Sequence, residues 1–195
     1  LAYGGGQYLL EAAGLQSIAL PSAGVPAQVY YVTPGTARAS AIVTGGKLAR
    51  FDFDMAFAKG EDATAGAGSQ RDFQANRLQF HARRERDVID IELQLDGAKL
   101  GGGYKSKLGN DITSAQLNAT LSHAVVFDGV LSGHDGIANA MQAWRALHGT
   151  IDVQALEVTS DLVKSETLRG ALTLDQNGAL SGELRSNGSL AATLP

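Results

Sequence analysis

From Gln28 onward apolar residues recur at every second position, the period of strands with one wet and one dry face. In ARFDFDMAFAKG, Phe51, Phe53, Met55 and Phe57 fall in one phase and Arg50, Asp52 and Asp54 in the other. Leu78, Phe80 and Ala82 repeat the pattern up to the charged turn RRERD. Ile89, Ile91, Leu93 and Leu95 resume it against Asp90, Glu92 and Gln94. SAQLNATLSHAVVF reads as a further strand, with Leu117, Ala119 and Leu121 in phase. The tail alternates again through TIDVQALEV, TLRGALTLD, ALSGELRS and SLAATL. Gly45-Gly46, Asn177-Gly178 and Asn187-Gly188 are two-residue turn signals between such runs. L-x-G-x-L occurs at 168–172 and again at 180–184, as neighbouring strands of a meander would place it. Each central glycine allows a bend or a close approach to the sheet.

One segment breaks the period. HDGIANAMQAWRALHG sets Ile137, Ala140, Met141, Trp144 and Leu147 on one helical stripe. Asp135 is expected to cap its start, and Gly149 to supply the left-handed stop. Near the N-terminus, Gln7–Ala13 is read as a helical turn or two within a loose segment 1–20. Residues 21–195 form one β-rich domain. The small and polar stretch 60–70 reads as a long mobile loop, and GGGYKSKLGND as another.

Composition narrows the function classes. With 44% hydrophobic residues, the chain can bury a core. Glycine is abundant, 24 of 195, without a collagen period. A net charge of −4, with no basic stripe, argues against nucleic-acid binding. Without cysteine there is no disulfide, thiolate zinc site or Cys nucleophile. No apolar run approaches a membrane span, and any anchor would lie upstream of Leu1.

Motifs that resemble chemistry fail on context. LGGGYKSK carries Tyr104 where a phosphate loop needs Gly before the Lys. Ser132, His134 and Asp135 are adjacent in sequence, whereas triad members converge from distant segments. His81, His123, His134 and His148 lack metal-ligand spacing. Asp52 and Asp54 read as alternating charges on a wet strand face, and Arg83–Arg86 as a soluble hairpin tip. Asn118 and Asn187 open glycosylation sequons that matter only in a glycosylating pathway. No catalytic residue, cofactor or metal is assigned.

The segment MQAWRALHGTIDVQALEV…LRGALTLDQNGALSGEL resembles the DUF2125 family of bacterial envelope proteins. The matching positions are Trp144, Gly149, Gly170, Leu174, Asp175, Gly178 and Gly182. FQANRLQFHARR…DIELQLDGAKL and LNATLS extend the likeness upstream to about residue 20. The resemblance implies a periplasmic setting. It also implies that this chain is the C-terminal part of a longer protein whose membrane segment precedes it. Similar G-x-L-rich repeats occur in AsmA-like envelope proteins, whose curved sheets hold lipids in apolar grooves. This last step is analogy, since fold does not fix function.

The resulting expectation is a mainly β protein, a long curved antiparallel sheet or open half-barrel of about ten strands. One α-helix, about 135–148, packs on its apolar face. The expected function is non-enzymatic binding or passage of a lipid-like ligand along that face, lined by Phe51, Phe53, Phe57, Phe80, Ile91, Leu93 and Trp144. The alternative is a structural or protein-interaction module, pairing with another envelope protein, whose same aromatics form a closed core without ligand.

Overall fold

The structure, a computed structural model of the 195-residue chain, describes all residues except 1–4, 23–24, 63–71, 102–108, 132–133, 165–166, 177, 187–188 and 195. Side chains at 19–28, 131 and 187–195 are also left aside. Most of the 60–70 loop, residues 102–108, and the Asn177 and Asn187-Gly188 turn signals lie outside the described residues.

Twelve strands form one antiparallel sheet. They are β1 (Gly6–Ala12), β2 (Gln16–Ser22), β3 (Val25–Thr33), β4 (Thr36–Thr44), β5 (Lys47–Asp62), β6 (Asp72–Glu85), β7 (Val88–Leu100), β8 (Asp111–Ser122), β9 (Ile151–Ser160), β10 (Thr167–Leu174), β11 (Leu180–Ser186) and β12 (Ser189–Leu194). The main path runs β1-β4-β5-β6-β7-β8-β9-β10-β11-β12, with β2 on β3 and β3 on β5. The sheet is open: β1 lies at one end and β12 at the other. Tight hairpins explain the meander. Gly45 and Gly46 both have positive φ between β4 and β5, and Arg86 adopts φ 56 between β6 and β7.

Two sequence expectations change at the element level. Gln7–Ala13 is not helical: Gln7 to Ala12 lie in β1, which pairs with β4 over seven residues without a register shift, and Ala13 follows it. A helix this short is marginal alone, whereas the β4 edge supplies backbone partners for alternate residues along the strand. The strand expected through Phe127 ends at Ser122, where His123 turns left-handed (φ 53). A 3-10 turn, Ala124–Phe127, and a short helix α1 (Asp128–Leu131) follow.

The long helix α2 spans Ile137–Ala146. Its N-cap is Gly136 rather than Asp135, without a side-chain cap. His148, not Gly149, takes the left-handed stop (φ 55). Gly149 serves packing instead, since a Cβ there would run into the Trp144 indole. Trp144 is only 2% exposed, and its Nε1 donates to the Ser122 carbonyl at 2.6 Å. Arg145 Nη1 donates to the Asp175 carbonyl at 3.2 Å, tying α2 to the β10–β11 turn. α1 meets the apolar face through Arg84, which is in phase with Phe80 and Ala82. The Arg84 side chain is 8% exposed and its guanidinium pairs with Asp128, as does Lys47 Nζ at 3.2 Å.

The two L-x-G-x-L glycines have a single explanation. Gly170 pairs with Leu184 and Gly182 with Leu172. A Cβ on Gly170 would run into the Glu183 carbonyl, and one on Gly182 into that of Ala171. They let β10 and β11 approach each other closely.

A crease crosses the sheet. At one level, pairing skips Phe57 and Asn76, then Asn76 and Gly97, then Gly97 and Thr113. Pro34-Gly35, between β3 and β4, and Gly14, between β1 and β2, continue the line. Gly35 N–H donates to the Ala56 carbonyl at 3.0 Å. Each of β5 to β8 inserts one residue here, so the inward phase changes parity. It runs from Met55 to Ala58, Leu78 to Ala75, Leu95 to Ala98 and Ala115 to Ile112. The expectation that Phe57 continues the Phe51–Met55 phase is thereby corrected. Phe57 sits at φ 53 and is 70% exposed, and Ala58 takes the inward position.

Candidate functional site: an uncovered apolar wall

Cross-strand register lines up the apolar phase into continuous rows. One runs Leu10, Ala39, Phe53, Phe80, Leu93, Leu117, Leu156, Leu168. The next runs Tyr8, Ala41, Phe51, Ala82, Ile91, Ala119, Val153, Gly170. Phe51 and Phe80 meet diagonally with ring centroids 6.1 Å apart. Five of the expected residues, Phe51, Phe53, Phe80, Ile91 and Leu93, therefore share this wall, each half-buried. Phe57 leaves it at the crease. Trp144 is buried as the anchor of α2 and offers almost no surface to a ligand.

Among the described residues, no second layer covers the wall. The chain exposes 12410 Å², whereas a closed monomer of 20.3 kDa exposes roughly 8,800 Å². Among the described residues, the buried apolar set is mostly alanine and valine, and no large side chain is fully buried.

The wall has a trough that the sequence reading missed. Three successive inward residues of β4 are alanine, Ala37, Ala39 and Ala41, before Val43 closes the row opposite Gly6. Tyr8 and Leu10 of β1 stand on one side, and Phe51, Phe53 and Met55 of β5 on the other. Two strand spacings make the gap roughly 10 Å from strand to strand, and five residues make it about 15 Å long. The signal was present in TARASA, whose alternate positions are all Ala.

The opposite face is polar and internally neutralised. Asp52 accepts from His81 Nδ1 at 2.7 Å, Arg50 Nε at 3.1 Å and Ser40 Oγ at 3.2 Å. Burial pushes the Asp52 pKa up, but these hydrogen bonds outweigh it and hold it below the usual carboxylate value. Asp54 is also lowered, chiefly by the forked Arg77 guanidinium at 2.9 Å. Ser40, Asp52 and His81 are in the wrong order for a hydrolytic relay: the acid stands between hydroxyl and imidazole, so the base does not reach the nucleophile. A shallow depression of about 430 Å³, lined by Arg50, Asp52, His81, Ala82, Arg83, Asp90 and Glu92, mixes both signs of charge. Among the described residues, no three His, Asp or Glu are grouped to hold a metal ion.

A family model described as an uncharacterized protein conserved in bacteria (DUF2125) matches residues 7–187. The chain belongs to the DUF2125 family. The DUF2125 match runs from within β1 to past the end of β11, so the wall, trough and polar face all lie inside the family region. No curated protein and no solved structure matches this DUF2125 chain.

Proposed function

We propose that this DUF2125 protein is a non-enzymatic, periplasmic envelope protein that binds or passes a lipid-like ligand on the apolar wall, with an acyl chain lying along the β4 trough. The uncovered wall carries the reading. Apolar surface on this scale favours an apolar occupant at about 25 cal/mol per Å² removed from water. The trough is narrow and extended, the shape of one acyl chain. The periplasmic setting rests on the family resemblance. The alternative of a closed core needs Phe51, Phe53 and Phe80 fully buried, and each keeps part of its surface open to solvent.

Organic extraction and native mass spectrometry of the purified protein are expected to release a bound lipid, and a fluorescent fatty acid is expected to bind the stripped protein. Ala39→Phe fills the trough from an already half-exposed position, so it should weaken the probe by about tenfold or more, the scale of a steric misfit in an apolar site. An empty protein that ignores the probe would overturn the proposal, as would probe binding that Ala39→Phe leaves unchanged.

A further inference from the structure

The edge strand β1 is built unlike an edge. Natural edges are blunted with lysine, proline, bulges or a covering element. β1 has an unbroken register against β4, no lysine and no proline. Its one charged residue, Glu11, is already engaged by Arg38 at 3.1 Å. Tyr8, Leu9 and Leu10 are 58%, 75% and 60% exposed. Tyr8 and Leu10 extend the apolar wall, whereas Leu9 stands beside Ser40 on the polar face. A neighbouring strand would set side chains beside these exposed apolar groups on both faces, as cross-strand pairs do. By contrast, β2 carries a register break between Leu20 and Ser22.

We propose that β1 pairs antiparallel with β1 of a second copy of this chain, about a two-fold axis through Leu9. The sequence GQYLLEA is complementary to itself in that register. Leu9 meets Leu9 on the polar face. Gln7 meets Glu11, so an amide donor faces a carboxylate acceptor, and like charges do not oppose each other. Tyr8 meets Leu10 on the wall face, and Gly6 meets Ala12. An isologous two-fold contact requires this property of a single segment. The pairing makes the two apolar walls continuous across the axis and gives the outer N–H and C=O groups of β1 backbone partners.

Sedimentation equilibrium is the test. The wild-type chain is expected to dimerise with concentration. Leu9→Lys and Leu9→Asp each place like charges together on the axis and should weaken the dimer by about 100-fold or more. An equimolar mixture of the two variants should restore association, which pairing with an unrelated strand cannot do. Leu9 is exposed and faces away from the wall, so circular dichroism and fatty-acid binding should be unchanged. This separates the dimer from the ligand proposal. A wild-type chain monomeric at every concentration, a dimer indifferent to Leu9→Lys, or a mixture that stays monomeric would overturn it.

Discussion

Arg84 and Asp128 show how single residues set the chain's response to pH. Arg84 projects from the apolar phase of β6, where an unpaired guanidinium would be costly, and α1 returns Asp128 to meet it. Burial pushes the Asp128 pKa up, but the hydrogen bonds from Arg84 and Lys47 outweigh it and hold it below the ordinary value. Asp52 and Asp54 are lowered as well. A carboxylate with a depressed folded pKa contributes stability that is fully present above its unfolded value, near 3.9, and is lost as pH falls through the folded pKa. Urea titrations should therefore show these contributions constant from pH 7 down to about 5 and declining below about 4. Asp128→Asn leaves Arg84 without its main countercharge. It should cost about 3 kcal/mol at pH 7 and flatten the acid limb of the profile. An unchanged acid limb would show that the pair does not hold α1 to the sheet.

At the scale of elements, the crease is the feature with a measurable cost. Phe57 takes a left-handed conformation that costs an ordinary L-residue roughly 1–2 kcal/mol, and that Asn tolerates far better. Because the ring is mostly exposed, little packing opposes the change. Phe57→Asn is expected to raise stability by about 0.5–1 kcal/mol, a few degrees in Tm for a chain of this size. Gly97→Ala at the same level should lower stability by about 2 kcal/mol, because φ is +56 and the new Cβ meets Asn76. If calorimetry instead shows Phe57→Asn to be destabilising, the exposed ring has a partner. The crease also marks where the sequence stops being readable. Strand identity, hairpins and the five wall residues follow from alternation, because period 2 is a local property. The parity change does not, because it is visible only when four strands are aligned. The hints are adjacent exposed pairs, Asn76-Arg77 and Thr113-Ser114. β1 was misread for a related reason: with apolar side chains on both faces it has no alternation, and LLEA is equally acceptable to a helix. Trp144 fits the helical stripe, but spacing alone could not distinguish a ligand contact from an anchor.

For the whole molecule, the balance between exposed and buried area makes the openness of the sheet measurable in solution. An unfolded chain of 20.3 kDa exposes roughly 29,000 Å². Folding to 12410 Å² removes roughly 17,000 Å² from solvent, against roughly 20,600 Å² for a compact fold of equal mass. The urea m-value scales with this difference, so the stripped, dilute protein should show about four-fifths of the value of a compact domain of its length. A bound acyl chain would cover part of the wall and a β1-paired dimer would bury the β1 edge, and each would bring m closer to the compact value. The direction of the concentration dependence then separates the two. Dilution of a lipid-free sample lowers m if β1 pairs with a second copy and leaves it constant if it does not. Fatty acid added at fixed dilute protein raises m only if the wall takes a ligand. An m-value already at the compact level in a lipid-free, dilute sample would mean that the wall is folded away in solution, and the ligand proposal would lose the surface it rests on.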